Sequence, residues 1–210
     1  MQNLPLFIGA TLLLAMTPGQ DFIYVMIRSA SQGARVGFIA VAGLMIGVML
    51  HTLAAATGVA AILLTSSYAF NAIKFLGAAY LIYLGIQSFR QKGKLQIRQK
   101  KDKASAIKIL REGMLSSTLN PKLALFFMAF LPQFVSPDVS RNGDGDAFSQ
   151  MLMLGILFAL LSLPILLAVA ILSARFGNLL GKNQRVSHSI GKLTGLVLIG
   201  LGLRLGFVNK

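Results

Sequence analysis

The chain has 210 residues, 55% of them hydrophobic and only 12% charged, with a mean hydropathy of +0.73. Soluble domains carry about a quarter charged residues, so the composition excludes a water-soluble globular domain. The absence of cysteine excludes disulfides, thiolate catalysis and cysteine-based metal sites, and the net charge of +14 is confined to alternate loops, which marks membrane orientation and not nucleic-acid binding.

Apolar stretches approaching or exceeding the roughly 18–20 residues that cross a bilayer predict six spanning helices. They lie at 4–27, 37–64, 72–89, 113–135, 148–172 and 193–208. The opening Met1-Gln2-Asn3-Leu4-Pro5 lacks the positive leader of a cleavable signal, so the first apolar run is expected to remain as span one. The second run is long and is expected to tilt or to begin in the interface. The polar stretch 90–112 is too short and too basic to build a core of its own. Residues 1–210 therefore read as one transmembrane domain. Lysine and arginine divide 15 against 4 between the two sides, with Lys122 left inside a span. The positive-inside rule then places both termini outside the cytoplasm.

The two halves, 1–105 and 106–210, resemble each other. Leu76–Gly85 of span three lies over Leu193–Gly202 of span six with Leu, Leu-Ile and Leu-Gly coinciding, and spans one and four each carry an internal proline, Pro18 and Pro121. Three helices per repeat is odd, so the second copy enters the membrane inverted. The expected fold is an all-α integral membrane protein of six transmembrane helices in a 3+3 inverted-topology repeat, a plan used by many secondary transporters.

In Thr17-Pro18-Gly19-Gln20-Asp21, proline removes a backbone donor and glycine adds freedom, so span one is expected to break there. Broken backbone is tolerated at membrane depth only against protein or a water-filled cavity. A half-helix beginning at Gly19 aims its positive end into that cavity, where a carboxylate is favoured. Asp21 is the only acid in any span; it could hold a substrate ammonium or carry a proton, or lie near enough to the cytoplasmic face to be solvated. Asn120-Pro121-Lys122 is the counterpart in span four. Lys122 could pair with Asp21 near the midplane or snorkel to the interface. The Gly43-x-x-x-Gly47-x-x-x-His51 spacing puts three residues on one helix face. Those glycines admit a close neighbour and turn His51 inward, either for proton coupling or for a hydrogen bond to another helix. Tyr24, one turn beyond Gln20, is expected to line the same cavity. Gly191-x-x-x-Gly195 and Gly202-x-x-x-Gly206 could pack helices or form a homodimer seam.

Thr17–Phe22, Gly33 to Gly37, Gly43/Gly47/His51, Asn120-Pro121-Lys122, Phe126-Phe127 and Leu131-Pro132-Gln133-Phe134 together resemble the lysine-exporter family of LysE/RhtB type, closest to its homoserine/threonine branch. One departure is Gln20, where many members carry a second proline. The resemblance covers almost the whole chain. It implies a bacterial inner-membrane carrier, with periplasmic termini here, that expels amino acids by proton antiport. Its expected substrate-binding residues are Pro18, Gly19, Gln20, Asp21, Tyr24, Asn120, Pro121 and Lys122, with Asp21 and His51 for proton coupling. No cofactor or metal is expected. An intramembrane enzyme using Asp21 and His51, or a passive channel, are the alternatives, although no H-E-x-x-H or G-x-S-x-G motif occurs.

Overall fold

The computed structural model of the chain describes residues 3–59, 67–90, 104–135, 146–180 and 184–207. Among these residues all regular structure is helical. Helix α1 (Leu4–Met16) opens with Pro5 in its first turn, where a missing N–H is harmless, and stops at Thr17-Pro18-Gly19. Helix α2 (Gln20–Gln32) ends at Gly33, whose φ of 92° suits only glycine. Helix α3 (Ala34–Ala54) continues into a wide π-type turn, Ala55–Val59. Helix α4 is Ser67–Arg90, and α5 is Ala106–Thr118, capped by Ser105. Helix α6 (Pro121–Leu125) runs on as a π-type turn, Phe126–Phe130, and a tight 3-10 turn, Leu131–Phe134. Helix α7 (Ala147–Leu180) carries Pro164 inside, and α8 is Gln184–Phe207.

Two stretches, Ala34–Gly58 and Ala147–Phe176, are each long and apolar enough to cross a bilayer. The pair α1–α2, and α5 with the segment Pro121–Phe134, reach that length only together, and each pair bends by 47° at its break. Helices α4 and α8 have 24 residues each, with the apolar part of α8 at Gly195–Phe207. The helices outrun the stretches that hydropathy marks. Residues 28–32, 106–112 and 173–180 were expected in loops and are helical. Hydropathy registers where lipid gives way to water, whereas a helix continues for as long as its own hydrogen bonds do. Residues 60–64 of span two and most of the basic stretch 90–112 lie outside the described residues.

Lipid tails are as apolar as leucine, so close backbone approach must hold such helices together. Glycine provides it. At Gly43 an added Cβ would meet the Leu110 carbonyl, and at Gly113 it would lie 2.7 Å from the Ala40 carbonyl, so α3 and α5 touch backbone to backbone. Between α3 and α7, Gly37 faces Ala170 and Gly155 faces Thr52. Between α4 and α8, a Cβ at Gly85 would lie 2.8 Å from the Gly195 carbonyl, and one at Gly202 would lie 2.8 Å from the Ala78 carbonyl. Gly202, expected in a seam that could serve a dimer, is thus used inside the chain.

Phe7, Phe126, Phe127, Phe130, Phe134 and Phe158 form one buried aromatic cluster beyond the breaks. Ring centroids lie 5.0–5.3 Å apart in its closer pairs, within the range of favourable tilted and edge contacts.

Candidate functional site

Pro18 has no N–H, so the Leu14 carbonyl one turn earlier loses its helical donor. Lys122 supplies the replacement. Its Nζ donates to Leu14 O at 3.2 Å and to Thr17 O at 3.1 Å. The ammonium therefore sits at the negative, C-terminal end of α1, where a cation is favoured. Its stem passes directly over Gly19, where an added Cβ would lie 2.8 Å from Nζ. Gly19 is extended, at φ −137° and ψ −167°, and its carbonyl accepts from Ile23 N at 2.9 Å to start α2.

The second break is built by Asn120. Its Oδ1 accepts from the Lys122 backbone N–H at 3.0 Å, and its carbonyl accepts from Ala124 N at 3.0 Å. Asp21 lies in the first turn of α2, at that helix's positive end, where an anion is favoured. Each of the two unlike charges thus occupies the helix end that suits its sign.

Asp21 Oδ1, Ser117 Oγ and Asn120 Nδ2 are buried and make no hydrogen bond. The Asn120 and Ser117 side chains lie beside the Asp21 carboxyl. No Asp21–Lys122 ion pair forms among the described residues. Buried polar atoms are nearly always satisfied in proteins, and these three, from three helical segments, gather around the Asp21 carboxyl. Asp21 and Asn120 border a pocket of about 420 Å³, including its open mouth, and Ser117 stands outside its lining. Thr17, Asp21, Asn120, Lys122 and Ser162 supply its polar lining, and Phe22, Met45, Val48, Phe158 and Leu166 its apolar wall. That mixture suits a small ligand with a charged head and a short side chain.

Asp21, Asn120 and Lys122 come together here, while Pro18, Gly19 and Pro121 shape the two breaks. Gln20 and Tyr24 do not line the pocket. Gln20 is exposed and its Nε2 donates to Ser116 O at 3.1 Å, and the Tyr24 hydroxyl donates to Ile109 O at 2.8 Å. His51 stands one layer behind. It is 7% exposed, its Nε2 donates to Ser117 O at 3.0 Å, and its ring stacks on Phe127. A carbonyl can only accept, so this contact fixes the proton on Nε2.

Ser117, Ser162 and Phe158 were missed by sequence reasoning. Ser117 lies one helical turn before Pro121, a position whose carbonyl the proline must leave free. That was the signal available for it. Ser162 was legible only as a partner of Pro164 in a kink of span five, and Phe158 sits on the same apolar helix with no motif to mark it.

The LysE type translocator family matches residues 12–208. An uncharacterized membrane protein of Bacillus subtilis, YrhP, is 32% identical over 98% of this chain and 99% of its own length. An uncharacterized membrane protein of Vibrio cholerae is 30% identical over 91% of this chain and 90% of its own. The homoserine/homoserine lactone efflux protein of Salmonella typhimurium is 28% identical over 92% of this chain and 90% of its own. No solved structure matches the chain. A match over nearly the full length, on a helical chain whose two broken helices meet at a polar pocket, places this protein among the LysE-type translocators: it is a membrane transporter and not an enzyme.

Proposed function

We propose that the chain is a secondary transporter that exports neutral amino acids, such as threonine, homoserine or close relatives, by proton antiport across the bacterial inner membrane. The observation that carries this reading is the pocket between the two broken helices, where Asp21, Asn120 and Lys122 converge from opposite halves of the chain. The efflux activity in the name of the Salmonella typhimurium relative supports it. In this reading the substrate ammonium sits against Asp21. The carboxylate sits against the amide end of α2 and the Asn120–Lys122 turn. Asp21 or His51 takes the counter-transported proton and resets the carrier.

The architecture in this reading is six spans in a 3+3 inverted repeat, with both termini periplasmic. Two sets of contacts support it. Laying 76–85 over 193–202 makes Gly85 equivalent to Gly202, Ala78 to Gly195, and Ile82 to Ile199. The contact of Gly85 with Gly195 and Ile199 is then the image of the contact of Gly202 with Ala78 and Ile82. Gly37 and Gly155 are as far apart in sequence as Thr52 and Ala170, and Gly37–Ala170 mirrors Gly155–Thr52 in the same way. The equal 47° bends at the two prolines belong to the same pattern.

The test is efflux from proteoliposomes loaded with labelled threonine, homoserine, leucine and lysine, under an imposed pH gradient. Saturable, gradient-dependent efflux of a subset, lost in Asp21→Asn, is the expected result. Flux that never saturates would make the protein a channel, and flux indifferent to the gradient would remove the proton.

A further inference from the structure

Helix α5 packs along α3 through glycines, α2 packs along α7, and α3 also packs against both α7 and α2. Where α2 faces α5 the packing is thin, and polar contacts carry much of it. The contacts form a ladder. Gln20 donates to Ser116 O nearest the pocket; further along α2 the Tyr24 hydroxyl donates to Ile109 O at 2.8 Å and Arg28 pairs with Glu112, which lies between Ile109 and Ser116 on α5. The Arg28 guanidinium also lies 5.5 Å from the centre of the Tyr24 ring, and the same hydroxyl is 3.4 Å from Glu112 Oε2. Asp21, Tyr24 and Arg28 share one face of α2 at helical spacing, so the ladder leads from the pocket to the membrane surface. Glu112 is the only glutamate in the chain.

We propose that Arg28, Tyr24 and Glu112 form the cytoplasmic gate of the carrier, closing the path from the cytoplasm to Asp21 and parting to admit substrate. The inference rests on the transporter reading for the identity of what passes, and on the positive-inside count for the name of the side. Each arm of the gate hangs from a proline break, α2 from Pro18 and α5 from Pro121; the glycine contacts make α5 move together with α3, so opening is a shift of that pair against α2. A charged pair suits this place. The Arg28 and Glu112 side chains keep 19% and 34% of their exposure. Water is therefore at hand to solvate both when they separate, and opening costs little. A buried aromatic contact in the same place would resist wetting.

Accessibility tests this without a transported substrate. The chain has no cysteine, so Ser162→Cys places a single thiol in the pocket wall. A membrane-impermeant maleimide is applied from the side of the basic loops. With the pair intact, labelling is slow. Glu112→Gln and Arg28→Gln each raise the rate on the order of five-fold, the effect of losing one partly exposed ion pair with its hydroxyl partner. The exchange Arg28→Glu with Glu112→Arg brings the rate back towards that of the intact pair. Tyr24→Phe, which keeps the charges, gives a smaller rise. Thermal midpoints of the variants identify any that are merely unfolded, and Tyr24→Phe stands as the mild variant. Unchanged labelling in folded single variants, or an exchange that labels as fast as they do, overturns the gate. A failure of efflux in the proteoliposome assay would strike the transporter reading and leave this measurement unaffected.

Discussion

Lys122 donates an ammonium hydrogen bond to the Leu14 carbonyl that Pro18 strands and another to Thr17 O, so the charged residue of one broken helix repairs the backbone of the other. The two breaks form one unit. Hydrogen bonds to a charged donor contribute about 1.5–3 kcal/mol each. Lys122→Met leaves two carbonyls without that donor, and both its thermal midpoint in detergent and its efflux rate should fall. A variant with unchanged midpoint and efflux would sink this account.

Gly19→Ala should act on the same unit from the other side, because its Cβ would push against the Lys122 stem at 2.8 Å from Nζ. The loss should be about 1 kcal/mol, the low end of overpacking, because the group met is the end of a flexible side chain. Combined with Lys122→Met, the second loss should be smaller than when it is made alone, since the clash has gone. Simple additivity of the two midpoint changes would show that they do not meet.

His51→Gln keeps a donor that can reach the Ser117 carbonyl, now satisfied by Nε2 at 3.0 Å. His51→Ala keeps none and removes the ring from Phe127. If the hydrogen bond is the whole role, Gln should preserve gradient-driven efflux and Ala should lose much of it. If the ring carries protons, both should lose gradient dependence while both proteins stay folded. The paired measurement decides between the two roles that the sequence left open.

The glycines separate into two kinds. Gly9 has nothing within 4 Å of an added Cβ, so Gly9→Ala should be neutral or should stabilise α1 by about 0.5–1 kcal/mol. Gly43→Ala drives a methyl into the Leu110 carbonyl, which belongs to helix backbone and cannot swing aside. It should lose about 1–3 kcal/mol. Thermal unfolding of the two proteins side by side checks the contrast.

Asp146 precedes α7 and its Oδ1 accepts from the Ser149 N–H at 2.8 Å, which holds the carboxyl below the usual carboxylate range. A depressed pKa stabilises the capped turn at pH values above the unfolded pKa of about 3.9. The benefit fades as pH falls through the lower, folded value. Amide exchange at Ser149 should therefore show added opening on acidification, over and above the intrinsic rate. Asp146→Asn should remove that pH-dependent part.

The breaks were legible because proline acts through its own missing N–H, a property that needs no neighbour. The inward face of His51 was legible for a similar reason: Gly43 and Gly47 can serve only a helix that comes close. The partners of Lys122 were not legible. Sequence offered Asp21 as the opposite charge, but the stranded carbonyls lie nearer and sit at a helix end of the right polarity. Tyr24 was expected in the pocket from its distance along α2, yet which way a side chain leans depends on the helix that packs there, and that helix is α5. Glu112 was hidden because hydropathy assigned it to a loop, where its helix and its facing partner could not be foreseen.

The paired glycine contacts between α4 and α8 have a mechanical meaning. An inverted-repeat carrier passes from one state to the other by trading the postures of its halves. A helix pair whose two contacts are images of each other is left unaltered by such a trade. In the proposed inverted-repeat carrier, with Gly85 and Gly202 in equivalent places, α4 and α8 would act as an axle, stationary while the hinged helices move around them.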